Sequence, residues 1–479
     1  MKITKKDIRF YASPKAVITQ FLHLPGNDRV KNIIERVENL TEEEAESCIN
    51  KIKTDFANRH HNLDEILLRH FKKIENQFNG KDLSLFSSQK KLLIGAYFTK
   101  EYSIESAALF NPSIVPHPDQ SGLQQGEQRF IMSLRATGEG HISSVVFKKG
   151  IVDRQNNIIL DESSRFFTKL PKNENVDYEK SFIEKRSLFF SGFKKELLDI
   201  LPEKFTASEA SQIINGNEIS KDALFYDSIQ FLKKILDSNY ELESSANFPL
   251  NEKVIFPNSN SESMGIEDAR WVKFMDGKEV VYYGTYTAYD GHRINTQMIE
   301  TSDFDVFKIR TLYGDAIDDK GMALFPEKIN GKYVMISRQG GEKISIMYSD
   351  DLYVWDKFQT LMEPMYPWEL VQVGNCGSPV KTDKGWLLLT HGVGIMRTYV
   401  ISAILLDLDN PSIILGRLNK PIIEANNEER EGYVPNVVYT CGLLRHGDTL
   451  IIPYAVSDSA TGFVTIELNE ILNELVKNN

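Results

Sequence analysis

Lys332-Tyr-Val-Met-Ile-Ser-Arg338 is a run of strand-forming residues that ends on a charged group. The phrase returns in altered form as Arg129-Phe-Ile-Met-Ser-Leu-Arg135, Val280-Val-Tyr-Tyr-Gly-Thr-Tyr286, Gly385-Trp-Leu-Leu-Leu-Thr-His391 and Thr449-Leu-Ile-Ile-Pro-Tyr-Ala-Val-Ser-Asp458. β-Branched and aromatic residues suit a pleated, half-buried surface. Each copy therefore predicts a strand with a polar group near its C-terminal end. Five such units predict a ring of blades around a common axis, a mainly β fold of the five-bladed β-propeller type. In a ring, Arg135, Tyr286, Arg338, His391 and Asp458 would be neighbours. The competing reading is a set of ordinary strand ends in an open all-β domain.

Outward from these strands the pattern changes. Residues 1–95 read as helical: Ile33, Ile34, Val37, Leu40, Ala45, Cys48 and Ile49 recur at helical spacing. Thr41 followed by Glu44 matches a capping box that would start a second helix. Leu63 to Phe78 repeats the helical period. The expected division is a helical extension, 1–95, and a propeller domain, 96–479, interrupted at about 175–240 by a helical insertion after the first blade. Thr301-Ser-Asp-Phe-Asp-Val-Phe307 and Tyr348-Ser-Asp-Asp-Leu-Tyr-Val-Trp355 echo each other, with a turn and then an aromatic plug between sheets.

The chain has 479 residues, more than one domain usually holds. Its net charge of −11 argues against nucleic acid as the main partner. Cys48, Cys376 and Cys441 are too few and too widely spaced for a disulfide framework or a zinc site. The start lacks a signal peptide pattern, and no run of about 18 apolar residues marks a membrane span. A cytoplasmic protein without a membrane partner is expected.

Gly265-Ile-Glu-Asp-Ala-Arg270 is the sharpest local motif, two carboxylates and an arginine ahead of a strand. Neighbours on a regular strand point to opposite faces, so only one of Glu267 and Asp268 would face a pocket. A partly buried acid there could protonate a leaving oxygen; composition alone favours a turn aspartate with a surface Glu–Arg pair. Arg293, Lys320, Arg338, His391 and Arg397 lie beside strand ends or turns, and their convergence would suit an anion such as phosphate. Scattered solvated cations are the plainer reading. Glu342, Glu363, Glu369 and Glu431 are candidate second carboxylates. Tyr286, Tyr289, Trp368 and Tyr399 could stack on a sugar, or be core. Cys376 with His391 as base could form a nucleophile, against a small buried turn residue. Phosphate-loop, nucleophile-elbow and metal-helix motifs are missing, and no metal is required.

The ordered set of phrases resembles glycoside hydrolase family 130, the β-mannoside phosphorylases and β-mannosidases. It comprises Phe110-Asn-Pro112, Ser133-Leu-Arg135, Gly265 to Arg270, Thr301-Ser-Asp-Phe304, Ala323-Leu-Phe-Pro-Glu-Lys-Ile329, Gly385 to Gly392, Ala403-Ile-Leu-Leu-Asp-Leu408, Gly432-Tyr-Val-Pro-Asn436 and Ser457-Asp458. The match runs from about 100 to 470, apart from the insertion. The resemblance implies a five-bladed propeller and inverting cleavage of a β-mannosidic bond. It makes Asp268 the general acid, acting through a sugar hydroxyl, with Ala269 in place of the family's usual proline. A phosphorylase would hold inorganic phosphate on Arg293, Lys320, Arg338, His391 and Arg397, although Ser337-Arg-Gln339 stands where some phosphorylases have His-Arg-Pro. A hydrolase would use Glu342 or Glu369 as base. Arg135, Tyr286, Tyr399 and Asp458 are the expected sugar contacts. The expected partner is a β-manno-oligosaccharide; a homo-oligomer and a non-catalytic carbohydrate-binding propeller remain open.

Overall fold

The computed structural model describes residues 1–78, 82–216, 223–243 and 248–477. The fold is mainly β, with helices before and inside the β region. The helical reading of residues 1–95 needs correction at its start. Strands β1 (Ile3–Tyr11) and β2 (Val17–Phe21) come first, then helices α1 (Asn27–Glu38), α2 (Glu42–Phe56), α3 (Leu63–Gln77) and α4 (Ser88–Tyr97), and strand β3 (Thr99–Ser103). The capping box forms as expected: the Thr41 hydroxyl accepts from Glu44 N, and the Glu44 carboxylate accepts from Thr41 N. Ile34, Val37, Ala45, Ile49, Leu67, Phe71 and Ile74 close a helical core with Leu92–Ile94. Gly95 lets α4 meet α3, because a Cβ there would lie 1.9 Å from Leu67 O.

The first β unit is β4 (Ala108–Pro116), β5 (Gln128–Thr137), β6 (Ser143–Val152) and β7 (Ile158–Leu160), paired antiparallel in that order. The insertion follows, with α5 (Lys180–Ser187), α6 (Ala207–Gly216) and α7 (Ala223–Ser238) packed on their own core. Residues 217–222 of the expected insertion lie outside the described residues. A second meander runs through β8 (Gly265–Asp276), β9 (Glu279–Tyr289), β10 (Ile294–Thr301) and β11 (Phe307–Thr311). It joins the first unit in one sheet through the contact of Gly265 with Ser143. A third sheet holds β12 (Lys320–Leu324), β13 (Tyr333–Arg338), β14 (Ile344–Ser349) and β15 (Phe358–Met362). A fourth holds β16 (Gln372–Asn375), β17 (Trp386–Val393), β18 (Tyr399–Leu406) and β19 (Ile414–Arg417). The last holds β20 (Val438–Tyr439), β21 (Thr449–Val456) and β22 (Ala460–Glu467), and β1 pairs with β22 as its outer strand. Helix α8 (Leu468–Lys477) buries Leu468, Ile471, Leu472 and Leu475.

Each unit shares apolar side chains with the next. Phe147 meets Trp271 and Phe304 between the first two. Val272, Met298, Met322 and Met335 join the second to the third. Ile336 and Leu388 join the third to the fourth, and Leu389 and Val456 the fourth to the last. Leu109, Phe130, Ile451 and Phe463 then join the last to the first. The two echoed aromatics, Phe307 and Trp355, are fully buried in these layers. Among the described residues no helix is long and apolar enough to cross a membrane.

Candidate active site

Strand β8 is interrupted where its chemistry begins. Its register against β9 slips between Glu267 and Arg270, and Asp268 there has φ 54°. A bulge breaks the alternation of a regular strand. Glu267 and Asp268 therefore reach the same guanidinium, against the expectation that only one could face the pocket. Arg135 Nη2 lies 2.8 Å from Glu267 Oε1, and Nη1 lies 3.4 Å from Asp268 Oδ1. Arg135 is fixed from below by Ser143 Oγ at 2.9 Å and lies over the Phe110 ring. Asn111 sits on a second bulge, in β4, with φ 49°. Its Nδ2 donates to Asp268 Oδ1 at 2.6 Å. Asn and Asp tolerate left-handed backbone better than other side chains do.

Cations then close around the pair. Lys320 Nζ lies 2.8 Å from Glu267 Oε2. Lys320 is directly opposite Arg338 in the β12–β13 register, which places both cations on one face. Arg338 Nη1 is 3.4 Å from His391 Nε2, and the Gln372 amide oxygen accepts from the same Nη1 once its amide is oriented to suit its neighbours. Arg270 Nη1 donates to the Asp268 carbonyl at 3.0 Å and Nη2 to Tyr439 OH at 2.8 Å. Tyr399 stacks on His391, and Tyr439 meets its edge.

The electrostatics follow from this packing. Burial opposes charge on Asp268, but Arg135, Arg270, the Asn111 hydrogen bond and Lys320 together hold it below the usual carboxylate range. Burial and repulsion from Asp268 push Asp458 up to about 7, against the pull of Arg135 and Arg397. Burial, then Arg338 and Arg270, keep His391 well below its ordinary value and therefore neutral at pH 7. Ser457 and Asp458 share the left-handed backbone of Asn111 and Asp268.

Arg135, Asp268, Lys320, Arg338, His391 and Tyr399 thus come together, with Asp458 within electrostatic reach. Arg397 lies at the rim, exposed and over the Tyr399 ring at 5.3 Å. Other expectations are corrected. Tyr286 is a core residue, its hydroxyl bonded to the buried Glu262 beside Tyr240. Arg293 is exposed in the β9–β10 hairpin, where its backbone N–H caps Asp290. Glu342 is exposed. Glu369 is fully buried and already accepts from Met365 N, Tyr366 N and Arg417. Cys376 is buried and its thiol pushed up to about 12, which removes the nucleophile reading. Asn111 and Tyr439 join the site with no role expected of them, and Arg270 is a buried support of Asp268 and not half of a surface Glu–Arg pair. The Asn-Pro step at 111 was the available signal, since such a step favours a local break in a strand.

A glycoside hydrolase family 130 profile, described as beta-1,4-mannooligosaccharide phosphorylase, matches residues 225–477. The chain belongs to this family. It is 37% identical over 235 residues to the 1,2-beta-oligomannan phosphorylase of Thermoanaerobacter sp. (strain X514), covering 47% of this chain and 76% of that relative. It is 31% identical over 301 residues to a beta-1,2-mannobiose phosphorylase of the same organism, covering 62% and 93%. The solved beta-1,2-mannobiose phosphorylase of Listeria innocua, in complex with beta-1,2-mannobiose, is similar at 23% identity over 78% of this chain and 93% of that chain, with TM-score 0.47. Family 130 membership makes the chain a carbohydrate-active enzyme. Among the described residues no group of three or more His, Cys, Asp or Glu side chains is placed to hold a metal ion.

Proposed function

We propose that this family 130 member cleaves β-mannosides by inverting phosphorolysis, releasing α-mannose 1-phosphate, with β-1,2-linked manno-oligosaccharides as its first-choice substrates. The linkage rests on the names of the two Thermoanaerobacter relatives. The observation that carries the reaction is the cation set around Asp268: Arg135 on Asp268, Lys320 on the adjacent Glu267, and Arg338 directly opposite Lys320. Like charges opposite one another across a strand pair are destabilising, and a phosphate dianion offsets that cost. The units described above act as five blades of a closed ring over which the helical extension and insertion lie as separate parts.

In this mechanism a phosphate oxygen attacks the anomeric carbon on the face opposite the leaving group. The glycosidic C–O bond breaks, and the leaving oxygen takes a proton passed from Asp268 through a sugar hydroxyl. Asp268 regains a proton from the next phosphate or from water. Arg135, Tyr399 and Asp458 bind the mannose ring of the cleaved subsite, and Arg397 stands at the rim. Phosphate entry also supplies the acid. The cations that hold Asp268 ionised become paired with the incoming anion, so the proton affinity of Asp268 rises when the nucleophile is in place.

Hydrolysis is the second reading, favoured by Asp458: a carboxyl pushed up to about 7 near the acid could take a proton from water. We place the protein in the cytoplasm, where three free cysteines are stable. The deciding assay is product analysis on β-1,2- and β-1,4-linked manno-oligosaccharides with and without inorganic phosphate. α-Mannose 1-phosphate formed only with phosphate is the expected result. Free mannose at an unchanged rate without phosphate would replace phosphorolysis by hydrolysis.

A further inference from the structure

A second basic cavity lies away from Asp268, between the helical extension and the first β unit. Its volume is about 580 Å³, and it is walled by α3, the end of β2 and residues 167–174. Its fixed charges are Arg69, Lys73, Lys169 and Lys172, with Glu65 and Glu174 as its acidic side chains. Two of the cations are already matched. Arg69 lies 3.4 Å from Glu65, and Lys172 lies 3.8 Å from Asp237.

The other two are not. Among the described residues neither Lys73 nor Lys169 has a carboxylate within ion-pair distance. Instead each ammonium rests on an aromatic face: Lys73 Nζ is 5.6 Å from the centre of Phe21, and Lys169 Nζ is 5.1 Å from that of Phe256. Lys169 also reaches the Pro257 carbonyl at 3.4 Å. A ring face holds an ammonium in place without neutralising it. Burial and the neighbouring Lys73 push Lys169 down to about 8. His70, whose Nδ1 is taken by Thr99 Oγ1 at 2.7 Å, lines the same wall. Lys169 is half-buried and Lys73 lies exposed at the mouth; the two unneutralised ammonium groups repel each other, and an anion between them offsets that repulsion.

We infer that this cavity is a binding site for a hexose phosphate, its phosphate group held by Lys73 and Lys169 and its sugar ring against the aromatic and polar wall. Point charges on flexible stems suit a phosphate monoester. Phe167 and Phe248 line the cavity as apolar surface for sugar C–H groups, and Gln20 and Asn258 offer amides for its hydroxyls. The volume is in the range of about 300–1,000 Å³ that small-molecule sites occupy. The inference stands apart from the reaction assigned to Asp268.

The test is calorimetric titration of the full chain with mannose 6-phosphate, glucose 6-phosphate and inorganic phosphate. It compares the wild type, the Lys73→Met/Lys169→Met variant and the Lys320→Met variant. Saturable hexose phosphate binding that weakens at least tenfold in Lys73→Met/Lys169→Met and persists in Lys320→Met is expected. No saturable binding by either hexose phosphate, or equal affinity in the double variant, overturns the site. Inorganic phosphate binding as tightly as both esters overturns the sugar half of the inference. A thermal scan guards the variant. Without ligand, Lys73→Met/Lys169→Met should melt at or above the wild type because the repulsion is gone. A marked fall would make the lysines structural supports and sink the proposal.

Discussion

Asp268 has to give up a proton in turnover, yet Arg135, Arg270, Asn111 and Lys320 hold it ionised. If the incoming phosphate reverses that balance, phosphate binding carries a proton with it. Titrations near pH 7 in buffers of different ionisation enthalpy should show more proton uptake in the wild type than in Asp268→Asn. Equal uptake in the two proteins would leave the proposed switch without support. Asp268→Asn should also lose about 10²- to 10⁴-fold in kcat while still binding manno-oligosaccharide; this is checked by steady-state kinetics beside a binding titration. Glu105 makes a different point about burial. It accepts from Ser13 N at 3.0 Å, and burial pushes it up to about 7. The folded state then binds more protons than the unfolded one between the ordinary glutamate range and pH 7, so stability falls as pH rises through that window. Glu105→Gln removes this loss. The variant should gain on the wild type by up to about 3 kcal/mol at pH 8 and by little at pH 4.5, measured as urea unfolding at the two pH values.

Gly95 tests the packing of the helical extension, because propensity and contact predict opposite signs. In an exposed helix interior, Gly→Ala gains about 1 kcal/mol. Here the new Cβ would meet Leu67 O at 1.9 Å, on the facing helix α3. Gly95→Ala should instead lower stability by about 1–3 kcal/mol, the usual cost of overpacking, and a thermal or urea scan reads the sign directly. The helices themselves were legible because their apolar spacing and the Thr41 capping box are local signals. The strands were legible for the same reason, and their polar ends marked Arg135, Arg338 and His391. What escaped was whatever depends on a break in the pattern. Strict alternation separates Glu267 from Asp268, and only the bulge between Glu267 and Arg270 unites them. Tyr286 and Arg293 fit the same local rules, yet register faces one into the core and places the other at a hairpin. β1 was hidden by its charged residues, since exposed Asp7 and Arg9 alternate with half-buried Ile8 and Phe10 against a partner strand more than four hundred residues away.

That distant pairing joins the two ends of the chain. β1 pairs with β22 from Ile3–Ile466 to Tyr11–Ala460, and Lys5 and Arg9 both reach the fully buried Glu429. Glu429 also accepts from Tyr454 OH at 2.7 Å and Asn426 N at 3.1 Å, and together these hold its carboxyl below the usual range despite burial. Removing residues 1–12 strips the outer strand from the last sheet and takes both cations from that carboxylate. Breaking a buried ion pair on one side costs about 3–5 kcal/mol; since Lys5 and Arg9 are 39% and 30% exposed, the electrostatic part should fall at the low end. The truncated protein should therefore unfold at lower urea, with β22 left as an open edge that favours aggregation. A Lys5→Met/Arg9→Met variant separates the two contributions, because it keeps the strand and removes the charges. Its loss should be smaller than that of the truncation and should shrink as the pH falls and Glu429 takes up a proton. A loss equal to that of the truncation would assign the whole effect to the ion pairs and none to the strand. A peptide of residues 1–12 added in trans should restore part of the stability of the truncated chain, and failure at saturating peptide would show that β1 does not act as a separable strand.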